Sequence, residues 1–276
     1  VGSRPTKRNA AARTSLVHRL RGHEGWVNGC ALSADGRLAL SASHDNTSIL
    51  WNTSDGKPIH TLEDFDDRAK GCALSADGRL ALSASDDEFC ILWNTSDEGM
   101  IHGLCGHEGA VKGCALSADG RLALSASEDK TCILWNTSDG EPIHTLRGHE
   151  EAVYGCALSA DGRLALSASD DKTCILWNTS DGKPIHTLRG HVQTVYGCAL
   201  SADGRLALSA SCDGTCILWN TSDGKPIHTL CGHEDSVYGC ALSADGRLAI
   251  SASVDKTCIL WNTSDGKPIH TLRGHE

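Results

Sequence analysis

No stretch of the 276 residues approaches the roughly 18 consecutive apolar residues that a membrane span needs. No segment spaces its apolar residues at a helical period, which argues against a bundle. Positive charge is scarce: 25 Lys and Arg stand against 35 Asp and Glu, a net −10, so neither nucleic acid nor a membrane surface is the expected partner. There is no Gly-rich phosphate loop and no His-Glu-x-x-His, so neither enzyme chemistry nor a cofactor is expected. The chain begins without Met and without a signal-peptide core; residues 1–15 read as a disordered linker outside the fold.

Cysteine, by contrast, is plentiful. Fourteen would suit a disulfide scaffold in a small secreted protein, but here they recur in register, at Cys30, Cys72, Cys114 and onward, then at Cys90, Cys132, Cys174 and onward. A small apolar residue kept in register fills core space, which suits a reducing compartment and a cytoplasmic chain. The Asn-Thr-Ser triplets at Asn52, Asn94, Asn136, Asn178, Asn220 and Asn262 would carry glycans only outside the cytosol, where so many free thiols fit badly.

Tryptophan gives the period. Trp51, Trp93, Trp135, Trp177, Trp219 and Trp261 follow one another at intervals of 42 residues, and a repeat of that length decides the fold. In the fourth copy AVYGCALS, RLALSAS, TCILWN and PIHTL have strand character, parted by the turn letters ADG, DDK and TSDGK. Such a copy is an antiparallel meander. Six in a row predict an all-β propeller of six four-stranded antiparallel blades, with an incomplete seven-bladed propeller as the alternative. The propeller is expected over residues 16–276, with blades at about 22–63, 64–105, 106–147, 148–189, 190–231 and 232–273.

Gly-His, Asp-Gly, Ser-Ala-Ser-x-Asp and Ile-Leu-Trp-Asn resemble the WD40 repeat, with Asn in place of its final Asp, and the likeness covers essentially all but the leader. In that family a His, a Ser, an Asp and the Trp of each blade form a buried hydrogen-bonded tetrad. The resemblance implies His23, Ser41, Asp45, Trp51; His107, Ser125, Asp129, Trp135; His149, Ser167, Asp171, Trp177; His191, Ser209, Asp213, Trp219; and His233, Ser251, Asp255, Trp261. Each is read as structural; a Ser inside a strand does not make a nucleophilic triad. The high identity between copies is also similar to the repeat arrays of bacterial and fungal NLR-like signalling ATPases, in which the array recognises a ligand.

The second copy has Phe65 where the tetrad His belongs, beside Asp64, Asp66 and Asp67, and reads as a decayed blade or as an acidic contact loop. Cys-Gly-His at Cys105–His107 and Cys231–His233 lacks the second spaced pair of a zinc site, so no metal is expected. No role is evident for His60, His102, His144, His186, His228 and His270. Leu16–His23 resembles an outer strand and its exit loop. In a closed ring, Leu16–Leu20 and Ile269–Leu272 compete for one edge of the last blade, and an unpaired edge invites homo-oligomers.

The copies differ mainly in the loop leading into the first strand and in the turn between the second and third, which an up-and-down blade puts at one end. SADGR and NTSDGK, at the other end, scarcely change. Before the tetrad Asp stand His44, Asp86, Glu128, Asp170, Cys212 and Val254. At the start of the first strand stand Asn28, Lys70, Lys112, Tyr154, Tyr196 and Tyr238. Two residues earlier stand Trp26, Arg68, Ala110, Ala152, Thr194 and Ser236. Tyr, Trp and Arg are frequent interface anchors, and in the WD40 family these offsets line the partner-binding face. The expectation is a non-catalytic propeller that binds a protein or peptide there, the recognition or scaffold part of a larger signalling protein. The alternative is a self-associating repeat module without a dedicated ligand.

Overall fold

The computed structural model describes residues 17–63 and 66–274, so the leader 1–15 and the substitution at Phe65 lie outside the described residues. Within them the chain forms strands and no helix, in six four-stranded antiparallel sheets that follow chain order from inner to outer strand. The sheets stand as the blades of a propeller around a central channel. No helix among the described residues is long and apolar enough to cross a membrane.

The fourth blade represents the rest. Its strands are Val153–Leu158, Leu164–Ser169, Thr173–Asn178 and Pro184–Arg189. Asp161 builds the first turn by accepting hydrogen bonds from Ser159 Oγ at 2.7 Å and the Arg163 amide at 3.1 Å. Gly162 supplies the positive φ of +70° that an L side chain resists. Asn178 builds the third turn likewise, accepting from the Ser180 amide at 3.0 Å. The Asn-Thr-Ser triplet is therefore turn chemistry, and Thr179 ties the two turns together by donating to the Gly162 carbonyl at 2.6 Å. The polar letters of that end are bonded to one another, which explains why it changes so little between copies.

Blades pack on one another through interlocking apolar sets. Leu208, Ala210, Cys216, Leu218 and Leu230 of the fifth blade meet Val237, Ala249, Ile259 and Trp261 of the sixth. The same pattern recurs between the first and second, second and third, third and fourth, and fourth and fifth blades. Apolar on both faces, the second strands read as continuous buried runs rather than alternating ones. The innermost strands converge because they carry glycine: a Cβ at Gly155 would lie 2.5 Å from the Tyr196 carbonyl oxygen of the next blade.

The junction between the sixth and first blades is different, and it alters one sequence expectation. Ile269–Leu272 lies within Lys267–Arg273 and pairs with the third strand of its own blade. Residues 17–21 do not compete for that edge. His18 lies against the first blade, its Nε2 3.2 Å from the Ser54 carbonyl. The outer histidines also acquire a role. His102, His144, His186 and His228 each place Nε2 3.3–3.4 Å from the carbonyl of Ser138, Ser180, Ser222 and Ser264 in the following blade. They stitch the outer edges together, and His60 reaches Glu98 instead, at 2.6 Å.

Candidate partner-binding face

The tetrads anchor the loops from which the variable residues project. In the third blade Trp135 Nε1–H donates to Ser125 Oγ at 2.9 Å, and Ser125 Oγ lies 2.7 Å from His107 Nε2. His107 Nδ1 stands 2.7 Å from Asp129 Oδ2. A carboxylate only accepts, so Nδ1 carries the proton, and in the neutral ring Nε2 then accepts from Ser125. Burial lowers the pKa of His107 and, in the fifth blade, of His191, which favours that neutral ring. Burial alone would raise the carboxyls of Asp129 and Asp213, but hydrogen bonds from Thr131 and Thr215, together with the His partners, hold them below the ordinary range.

The His23, His149, His191 and His233 sets have the same geometry, with Nε2 2.7 Å from Ser41, Ser167, Ser209 and Ser251. Their indoles, Trp51, Trp177, Trp219 and Trp261, each donate to that Ser at 2.8–2.9 Å. Asp45, Asp171, Asp213 and Asp255 accept from their histidines at 2.7–3.0 Å. Sequence reasoning missed a fifth member, the Thr two residues after the Asp, as in Thr173 Oγ1 donating to Asp171 at 2.6 Å. Its constant place in the repeat, broken only by Phe89, was the available signal. In the second blade Trp93 still donates to Ser83 at 2.7 Å, while Asp87 accepts from the amides of Asp66 and Asp67.

Each tetrad Asp also accepts from the amide after its His, as from Glu150 to Asp171 at 3.1 Å, which fixes the loop into the first strand. The loop is then bonded across to the second turn: His44, Asp86, Glu128, Asp170, Cys212 and Val254 donate their amides to the carbonyls of Trp26, Arg68, Ala110, Ala152, Thr194 and Ser236 at 2.9–3.1 Å. Two of the three variable positions are therefore joined through backbone alone, which leaves their side chains free to differ. The third, at Asn28, Lys70, Lys112, Tyr154, Tyr196 and Tyr238, is the residue at which the pairing of the first and second strands shifts. Such bulges re-aim a side chain. No sequence signal foretold them.

Around the ring these residues make two sectors. Lys70 Nζ lies 3.2 Å from Asp86 and 3.3 Å from His44 Nε2; Lys112 Nζ lies 2.6 Å from Asp86 and 3.0 Å from Glu128. The Lys70, Asp86 and Lys112 side chains are mostly buried in this chain of ion pairs, so the charge read from the sequence is largely spent within the ring. Burial would lower Lys112 and raise Asp86, yet their mutual contact leaves Lys112 above and Asp86 below the usual values. Beyond Glu128 the Tyr row begins. The Tyr154 and Tyr196 rings have centroids 4.9 Å apart, and those of Tyr196 and Tyr238 are 4.5 Å apart. Burial raises the phenols of Tyr154 and Tyr196. Asp170 accepts from the Thr194 hydroxyl. Asn28 donates to the Ala69 carbonyl at 2.8 Å, and Trp26 lies 5.6 Å from His44.

Tyr238, Val254 and Trp26 are exposed, as is Val192, which sequence reasoning passed over. Four other copies carry Glu at the position of Val192, so its odd letter was the missed signal. The channel is lined by Ala, Leu and Cys around a cavity of about 260 Å³. Burial pushes the lining thiols of Cys72, Cys114, Cys156, Cys198 and Cys240 up, away from the thiolate form that a nucleophile needs.

The family model described as WD domain, G-beta repeat matches six times, at residues 14–52, 56–94, 99–136, 140–178, 182–220 and 224–262. Among curated proteins, the small ribosomal subunit protein RACK1y of Oryza sativa subsp. japonica is 42% identical over 48 residues, 17% of this chain and 14% of that protein. The small ribosomal subunit protein RACK1 of Drosophila melanogaster is 38% identical over 52 residues, 19% of this chain and 16% of that protein. Ribosome assembly protein 4 of Saccharomyces cerevisiae is 45% identical over 53 residues, 19% of this chain and 10% of that protein. The chain thus spans less than a fifth of the length of each of these relatives.

Proposed function

Because the chain belongs to the WD-domain, G-beta repeat family, we propose that it is a non-catalytic scaffold propeller that binds a protein or peptide through the face where its copies differ. The carrying observation is that the letters that differ most between copies gather at one end of the blades and hold all three Tyr. The relatives bear the names of ribosomal-subunit and ribosome-assembly proteins, which supports a role in assembling proteins. The contact centres on Tyr154, Tyr196 and Tyr238 with Val192 and Val254, because Lys70, Asp86 and Lys112 already satisfy one another. Fourteen unpaired thiols support a reducing, cytoplasmic setting.

The test is selection of a displayed peptide library on the 276-residue chain, followed by titration of the selected peptides. The combined change Tyr154→Ala, Tyr196→Ala and Tyr238→Ala should weaken binding by about tenfold or more, as loss of an aromatic hot spot does. The unfolding midpoint should change little, and Arg163→Ala on the opposite face should bind normally. Equal binding by the triple variant would remove this reading.

A further inference from the structure

Lys70, Lys112 and Tyr154 occupy the same seat in successive blades, between a second-turn residue of their own blade and one of the blade before. In the second blade Lys70 stands between Asp86, at 3.2 Å, and His44, at 3.3 Å. In the third Lys112 stands between Glu128, at 3.0 Å, and Asp86, at 2.6 Å. The fourth blade repeats the acids and omits the amine. There Tyr154 stands between Asp170 and Glu128. Burial is the main cause that raises its phenol, and the nearby charges of Asp170 and Glu128 add to it.

Omitting the amine leaves positive charge short at this one seat. Glu128 keeps Lys112 as a cation on its other side, yet its side chain is still 47% exposed. Asp170 is exposed, and among the described residues it has no ion pair; it accepts from the Thr194 hydroxyl. The shortage does not extend further around the ring, because the next two second-turn residues are Cys212 and Val254. Tyr154 is half-buried and tilted against Tyr196, so the wall between the two carboxylates is aromatic. Aromatic surface beside a carboxylate attracts a cation twice over, through the ring quadrupole and through the charge. The net −10 of the chain adds a long-range pull in the same direction.

We propose that the seat walled by Glu128, Tyr154 and Asp170 takes a basic side chain of the bound partner. The partner thus supplies the cation that Lys70 and Lys112 supply in the two blades before. This rests on the binding face proposed above and names the chemistry of its ligand: a peptide with an arginine or lysine at its anchoring position.

The experiment selects a displayed peptide library on the intact chain and titrates synthetic copies of the selected peptides. They should share an arginine or a lysine. Replacing it by its neutral counterpart, citrulline or acetyl-lysine, should weaken binding about tenfold or more. That arm leaves the protein unchanged, so a misfolded variant cannot mimic it. Asp170→Asn should weaken the basic peptide similarly and add little to the loss already shown by the neutral one. Tyr154→Lys puts an ammonium in the seat, as in the two preceding blades, and should abolish binding, whereas Tyr154→Gln should only weaken it. Peptides that need the three tyrosines but share no basic residue would overturn the cation seat and leave the binding face standing. The seat falls too if the neutral peptide or Asp170→Asn binds as well as the original, or if Tyr154→Lys binds better than Tyr154→Gln. A selection that returns no peptide weakened by the triple tyrosine variant would remove the face and the seat together.

Discussion

The third strands of the fifth and sixth blades are spelled alike, Thr-Cys-Ile-Leu-Trp-Asn, and both pair in register with the strands on either side. Leu218 nevertheless has 1% of its surface exposed, while Leu260 is only half-buried. The two blades have the same hydrogen-bonded ladders and the same complete tetrads. They differ in what stands beside them. A blade thus makes its ladders and its tetrad within itself but depends on a neighbour for its apolar contacts, which is why an end blade of a repeat array is exposed to association.

The broadest way to break the comparison is acid, which acts on the tetrads inside blades and leaves the apolar sets between them unchanged. His107 and His191 have folded pKa values lowered by burial, so their stability contribution is complete above about pH 6.5 and is lost as pH falls through those lowered values. Asp129 and Asp213 are also held low, so their contribution is complete above about pH 4 and is lost below it. Thermal unfolding should show a flat midpoint between about pH 7 and 8, a decline below about 6.5 and a steeper one below 4. A midpoint that rises on acidification through pH 6 would contradict the neutral imidazoles.

Truncation separates the two blades directly. Leu218→Ala opens a cavity in a covered junction and should cost about 2–5 kcal/mol, whereas Leu260→Ala at the seam between the sixth and first blades should cost about 1 kcal/mol or less. Denaturant unfolding of the two variants checks this, and equal losses would mean that the seam is closed in solution. The smallest expected effect lies at the other end of the array. Ser48 stands where other blades carry Cys, and its Oγ is the buried side-chain atom without a hydrogen-bond partner among the described residues. Ser48→Cys should therefore add about 1 kcal/mol, seen as a higher denaturant midpoint with an unchanged slope.

Much of the molecule was legible because its local rules are short-ranged. Asp-Gly and Asn-Thr-Ser-Asp-Gly specify turns within five residues, and the spacing of Trp sets the blade. The bulge at Tyr154 and its counterparts was not legible, since it depends on how the second strand pairs and not on the letter at that position. Nor was the mutual neutralisation of Lys70, Asp86 and Lys112. Those residues lie in different copies, and only the curvature of the ring brings Lys112 within 2.6 Å of an Asp from the preceding blade.

By themselves the residues determined the strands, the turns and the partners within each tetrad, because those bonds are formed inside a single 42-residue unit. Tertiary structure alone decided which copies of an identical apolar set are core and which are surface. Burial belongs to the neighbour that excludes water as much as to the side chain itself, and the sixth blade has lost that neighbour where the fifth has not.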